Sequence, residues 1–133
     1  MSIDERTVRK IFAGLEHGDG DAFFEHVADE VDWTVMGTHP LAGRYRTKSD
    51  FRAGTLAKLG KVLHGGAQLK VTRCLVSSDT AVVELESGAT AHNGMRFDKH
   101  YCWVVRFEGG KVVEVRAYLD SALVAELFRQ NPI

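Results

Sequence analysis

Tyr101-Cys102-Trp103-Val104-Val105-Arg106-Phe107-Glu108-Gly109-Gly110-Lys111-Val112-Val113-Glu114-Val115-Arg116-Ala117-Tyr118-Leu119-Asp120 alternates with a period of two and breaks once, at Gly109-Gly110. That pattern predicts two strands, over 97–108 and 111–119, joined by a hairpin. At strand rise the first would extend about 40 Å, and strands of that length twist and bend. It is apolar on both faces, with Phe97, Tyr101, Trp103, Val105 and Phe107 on one and Cys102 and Val104 on the other. Helices covering a sheet from one side leave the second face bare. A second copy of the chain bound through that outer sheet face, a homodimer, is the expected cover.

Upstream, the same period marks strands over 68–77 and 80–90, punctuated by Ser78-Asp79 and Asn93-Gly94. Before residue 66 the period is mostly 3.6. Val8, Ile11, Phe12 and Leu15 predict a first helix that opens with the capping-box pattern Ser2-Ile3-Asp4-Glu5 and stops at Gly18-Asp19-Gly20. Asp21 is the expected cap of a short second helix carrying Phe23, Phe24 and Val27. Residues 31–36 read as a strand and 37–46 as a loop. Thr47 is the expected cap of a third helix, with Phe51, Leu56, Leu59, Val62 and Leu63 on its apolar side and Gly65-Gly66 at its end. Asp120 is placed to cap a last helix over 121–129. Helices, then a run of strands, then one helix predict an α+β class with helices on one face of a curved antiparallel sheet.

The chain has 133 residues, which suggests one domain over 1–133 with a core that needs no disulfides. It is 44% hydrophobic and 26% charged, with 17 Lys plus Arg against 18 Asp plus Glu, a net charge of −1. That balance argues against a dedicated nucleic-acid or anionic-membrane binder. Cys74 and Cys102 lie far apart in apolar runs and read as free buried thiols. The first residues lack a basic start followed by an apolar stretch, and no run approaches the roughly 20 apolar residues of a membrane span, so the cytoplasm is the expected location.

Two stretches carry a resemblance. Val31-Asp32-Trp33-Thr34-Val35-Met36-Gly37, followed by His39-Pro40-Leu41-Ala42-Gly43, resembles the first strand and loop of SnoaL-like proteins, the ketosteroid-isomerase-like branch of the nuclear transport factor 2-like superfamily. The tail from Tyr101 to Asp120 resembles the same family more closely. The resemblance implies a cone: three N-terminal helices packed on the concave face of a curved sheet, a short C-terminal helix, an apolar pocket and a homodimer. It does not bring one activity with it, because the superfamily includes isomerases, cyclases, epoxide hydrolases and proteins with no chemistry.

The ketosteroid isomerase residues are absent at the matching positions. The carboxylate base falls on Val35, the tyrosine on Ile11 and the second acid on Trp103, and none of these supports that mechanism. The aspartate that limonene-epoxide-hydrolase-like and SnoaL-type enzymes carry on the last strand falls on Ala117. What remains is a ligand-pocket set of Ile11, Trp33, Val35, His39, Trp103, Val105 and Ala117. Two catalytic candidates remain beside it, Glu84 and Tyr101. If the face of Val82 lines the pocket, Glu84 is a desolvated carboxylate suited to acid–base work, with Tyr101 as hydrogen-bond donor. If not, it is solvated or paired with Arg106 or Arg116. His39 is either a surface histidine or a base at the pocket mouth. The six histidines lack ligand spacing, so no metal is expected, and no organic cofactor.

The residues therefore point to a pocket for a small apolar or aromatic molecule. The expected protein is either an isomerase- or cyclase-type enzyme using a carboxylate, or a non-catalytic protein that sequesters a hydrophobic metabolite or acts as a dimeric interaction module.

Overall fold

The computed structural model describes residues 3–66 and 68–133. In chain order the elements are α1 (Glu5–Glu16), α2 (Gly20–Phe24), β1 (Val27–Val35), β2 (Gly43–Tyr45), α3 (Lys48–Gly54), α4 (Leu56–Val62), β3 (Lys70–Ser77), β4 (Thr80–Ser87), β5 (Lys99–Glu108), β6 (Lys111–Leu119) and α5 (Ser121–Gln130). The six strands form one curled, unclosed sheet in the order β2-β1-β6-β5-β4-β3, and the helices give it the α+β cone shape.

Every neighbouring pair is antiparallel except β1 and β6, which run parallel. Successive same-end connections make each neighbouring pair from β3 through β6 antiparallel, but β1 is separated from β6 by most of the chain and no turn dictates its direction. The strand period holds through β5, where Lys99, Tyr101, Trp103, Val105 and Phe107 are buried and the residues between them are half-buried or exposed.

α1 buries Val8, Ile11, Phe12 and Leu15 against the concave face. A side chain at Gly14 would place its Cβ 2.6 Å from the Asp19 carbonyl oxygen and 2.9 Å from the Phe23 nitrogen, so only glycine lets α1 and α2 come this close. A second cluster, built from Leu59, Val62, Leu63, Phe97, Val124 and Leu127, fills the end of the cone under α4 and α5.

The caps are partly those the sequence predicts. Thr47 accepts from the Asp50 N–H at 3.0 Å and Asp120 from the Leu123 N–H at 3.0 Å. α1 is capped by Asp4, which accepts from the Thr7 N–H at 2.8 Å, and the predicted cap Ser2 lies outside the described residues. α2 is capped by Asp19 at 3.1 Å rather than by Asp21, which sits in its first turn.

Three further differences are structural. The third helix is broken in two at Thr55, whose N–H and hydroxyl both donate to the Phe51 carbonyl, at 3.0 and 2.7 Å, while its backbone leaves the helical region. Gly54 permits the break to sit against the Tyr45 ring, since a Cβ there would lie 2.5 Å from Tyr45 Cε1. Within the predicted 37–46 loop, residues 43–45 pair with β1 as β2, too short a strand to show a period. Residues 88–98 leave the main ladder and fold back through the bridges Leu63↔Ala91 and Thr90↔Arg96, which shortens β4 and β5 relative to the predicted spans. No helix among the described residues is long and apolar enough to cross a membrane.

Candidate functional site

β1, β5 and β6 carry the side chains of the site in two neighbouring register rows on the concave side of the sheet, Trp33–Val115–Val105 and Val35–Ala117–Trp103. The two indoles meet edge to face with centroids 5.1 Å apart, and Phe51 from α3 stacks on Trp33 at 3.8 Å. Tyr101 continues the wall 6.4 Å from Trp103. Between this aromatic wall and α4 lies a small, almost wholly apolar cavity lined by Trp33, Val35, Leu41, Phe51, Thr55, Leu56, Leu59, Leu69, Lys99, Tyr101, Trp103, Ala117 and Leu119. Its volume is about 40 Å³, room for about one or two waters. A wider depression of about 860 Å³ runs along α3 past Asp29, Lys48 and Arg52, but it is open to solvent and holds none of the converging aromatic residues.

The Thr55 hydroxyl in the cavity wall is bonded to the Phe51 carbonyl, but both indole N–H groups of the wall lack partners. Trp33 Nε1 and Trp103 Nε1 are buried with nothing to donate to, and Ser87 Oγ, near the Tyr101 hydroxyl, has no partner at hydrogen-bonding geometry. Leaving a buried donor unpaired costs about 1–3 kcal/mol, which a ligand acceptor would recover. Burial pushes the Tyr101 hydroxyl up to about 12, with Ser87 pulling weakly the other way. A phenol so placed stays protonated and donates.

Lys99 is the charged group of the site. It is 3% exposed, with Nζ 4.8 Å from the Phe97 ring centroid and 5.1 Å from that of Tyr101. Burial lowers its pKa to about 7, opposed only by the charge of Asp120 at the start of α5. Two rings offer some cation–π attraction, but no carboxylate hydrogen-bonds the amine to offset its lost hydration.

The sequence-predicted residues divide by location. Trp33, Val35, Tyr101, Trp103 and Ala117 line the cavity. Ile11 and Val105 belong to the packed core behind it. His39 is half-buried in the loop after β1 and is neither free at the surface nor available as a base. Its Nδ1 accepts from the Leu41 N–H at 3.1 Å, so Nε2 carries the proton and donates to the Met36 carbonyl at 3.0 Å. Burial lowers its pKa, with Lys99 contributing to the lowering and the Met36 bond opposing it.

Glu84 is corrected outright. On β4 it is Ala81, Val83 and Leu85 that are buried, and Glu84 is exposed on the outer face opposite Cys102 and Arg73. Glu84 and Tyr101 therefore face opposite sides of the sheet and cannot act on one ligand. The expected ion pairs are not formed either: Arg106 pairs with Glu108 and Glu114, and Arg116 lies 4.0 Å from Glu114. No Asp or Glu lines the cavity among the described residues, and no group of three or more His, Cys, Asp or Glu is placed to hold a metal.

Lys99 is legible in the sequence yet absent from the predicted set. It shares the parity of Tyr101 and Trp103, so alternation alone puts it inside. Leu41, Phe51, Thr55, Leu56, Leu59 and Leu69 come from helices and loops whose position over the sheet no strand pattern encodes.

The sequence profile of the SnoaL-like domain matches residues 8–115. The dimerizing cyclase phiC of Fungal sp. (strain ATCC 74256) is 26% identical over 135 residues, covering 98% of this chain and 59% of that protein. The dimerizing cyclase tstC of Talaromyces stipitatus is 26% identical over 119 residues, covering 86% of this chain and 53% of tstC. The chain thus spans little more than half the length of these relatives. Among solved structures, an NTF2-like protein from Burkholderia thailandensis E264 superposes with a TM-score of 0.80 at 25% identity, covering 92% of this chain and 95% of the other.

Proposed function

The chain belongs to the SnoaL-like domain family, and from that premise we propose that it is a cyclase- or isomerase-type pocket protein whose ligand is a small apolar molecule bearing a carbonyl or similar acceptor oxygen. The observation that carries this reading is the pair of buried, unpartnered indole N–H groups of Trp33 and Trp103 in an apolar wall. With the Tyr101 hydroxyl and the Lys99 amine they form a set dominated by donors. Such a set suits a ligand oxygen that gains negative charge, as the oxygen of an enolate does during cyclisation or isomerisation. The similarity to two cyclases supports the reaction class. Glu84 has no part in this reading.

A drug-sized ligand needs about 300 Å³ or more, against about 40 Å³ in the cavity. The reading therefore includes widening of the cavity on binding, with the helix break at Thr55 as the point where α4 would move. The test is a tryptophan-fluorescence titration with acetophenone and with ethylbenzene, similar in shape but lacking the oxygen. The reading expects acetophenone to bind at least about fivefold more tightly, one recovered hydrogen bond being worth about 1 kcal/mol or more, and Trp103→Phe to shrink that preference. Equal binding of the two compounds, or none, refutes it. The absence of a carboxylate from the wall favours a second reading, a sequestering protein, which predicts the same binding with no turnover.

The proposal includes a homodimer through the outer sheet face. Leu75, Val82 and Val104 form one apolar row there by register, with Cys102 and Tyr118 in the next, and Leu75 and Tyr118 are 55% and 45% exposed. A second copy would cover this face. Sedimentation giving a monomer at high protein concentration refutes it.

A further inference from the structure

We infer that Lys99 is a nucleophilic amine that captures an aldehyde or ketone carbonyl as an imine inside the cavity. The inference rests on the carbonyl-ligand reading above and adds a covalent step and the residue that takes it. Three observations support it. Lys99 is almost completely buried, yet its side chain forms part of the cavity wall. Aromatic faces rather than an acid flank its Nζ. Directly across the ladder stands Ser87, whose hydroxyl is unpartnered.

Desolvation in an apolar pocket is one of the established ways of activating a lysine for imine formation. The charged and titratable groups around this amine are few. Tyr101 lies beside it on β5 and stays protonated, His39 approaches from the loop after β1 and is held neutral by its own bonds, and Asp120 acts from the start of α5 as a distant charge. With its pKa lowered from 10.5 to about 7, roughly half the amine is unprotonated at pH 7, about a thousandfold more than for an ordinary lysine.

The step balances without an oxidant or a reductant. The Nζ lone pair attacks the carbonyl carbon, and the C–O π pair moves onto oxygen, which is protonated. The resulting carbinolamine then loses that oxygen as water, both amine hydrogens leaving with it, as the C=N bond forms. A protonated imine acidifies the adjacent C–H, which is what an intramolecular carbon–carbon closure needs. Hydrolysis restores the carbonyl and the amine.

The test treats the full chain with benzaldehyde and sodium cyanoborohydride at pH 7 and maps the reduced benzyl adduct by peptide mass spectrometry. Tryptophan quenching by benzaldehyde without reductant is recorded on the same sample. The expected result is labelling of Lys99 at least about tenfold faster than of Lys10, Lys48, Lys58, Lys61, Lys70 and Lys111, with a pH midpoint near 7, and loss of the fast adduct in Lys99→Met. Quenching without a Lys99 adduct overturns this inference and leaves the pocket reading standing. Neither quenching nor an adduct overturns both. Uniform labelling of all lysines, or a Lys99 midpoint near 10, overturns the inference. Because the adduct is mapped on the wild type, none of the overturning outcomes depends on the variant folding.

Discussion

Replacing Lys99 with methionine keeps a long unbranched side chain in the cavity wall and removes the amine. In the folded protein that amine has its pKa lowered from 10.5 to about 7 by burial. At about 1.4 kcal/mol for each tenfold change, the protonated form costs the fold about 5 kcal/mol. The unfolded chain keeps the ordinary value, so between pH 7 and 10.5 it binds more protons than the folded chain. Wild-type stability therefore rises with pH across that window, is fully recovered above it, and carries the whole cost below pH 7. The methionine variant lacks this dependence. Urea unfolding of both proteins at pH 6, 7, 8 and 9 should find Lys99→Met the more stable at pH 6 and 7. Its advantage should shrink by about 2 kcal/mol between pH 7 and 9. Titrations of groups that do not interact with Lys99 cancel in the difference, and His39, whose pKa is lowered below 6.5, stays neutral between pH 7 and 9. An advantage constant to within about 0.5 kcal/mol over that range would refute the reasoning, because it would mean that the amine reaches water or an acid and titrates normally.

Thr47→Ala removes the acceptor for the Asp50 N–H and should cost about 1 kcal/mol in urea unfolding; an unchanged midpoint would mean that the stacking of Phe51 on Trp33 holds α3 without its cap. Protonating His39 leaves Nδ1 unable to accept from Leu41, and its pKa lies below 6.5 in the fold, so wild-type stability relative to His39→Gln should fall as pH drops below 6.5. A rise on acidification would contradict the assigned tautomer. Gly54→Ala drives a Cβ to 2.5 Å from the Tyr45 ring and strains the bond from the Tyr45 hydroxyl to the Leu41 carbonyl at 2.9 Å. A loss of about 1–3 kcal/mol is expected, and none would show that the ring moves freely.

The arrangement of the molecule is largely readable from local pattern. The period of two sets two strands and the buried parity of β5, although a bulge shifts the parity of β6 between Val112 and Val115. The 3.6 period places Val8, Ile11, Phe12 and Leu15 on one face of α1, and Thr47 and Asp120 mark helix starts by their chemistry. These features depend on near neighbours in the chain, whose geometry a residue type constrains directly. Parity reaches the site as well: it puts Trp103 and Tyr101 inside, and it puts Lys99 there too once a lysine is granted an inward position.

Other features depend on which distant segments meet. The face of β4 that turns inward is set by its register with β5, and one residue of slip would exchange Glu84 for Val83. The parallel pairing of β1 with β6, the break at Thr55 and the docking of α4 over the indoles arise from contacts tens of residues apart. So does the state of Lys99. Its basicity is ordinary in an extended chain and is lost only when Phe97, Tyr101 and the helical wall together exclude the water that would solvate its charge. Desolvation is a property of the assembled cavity, and no single stretch of sequence contains it.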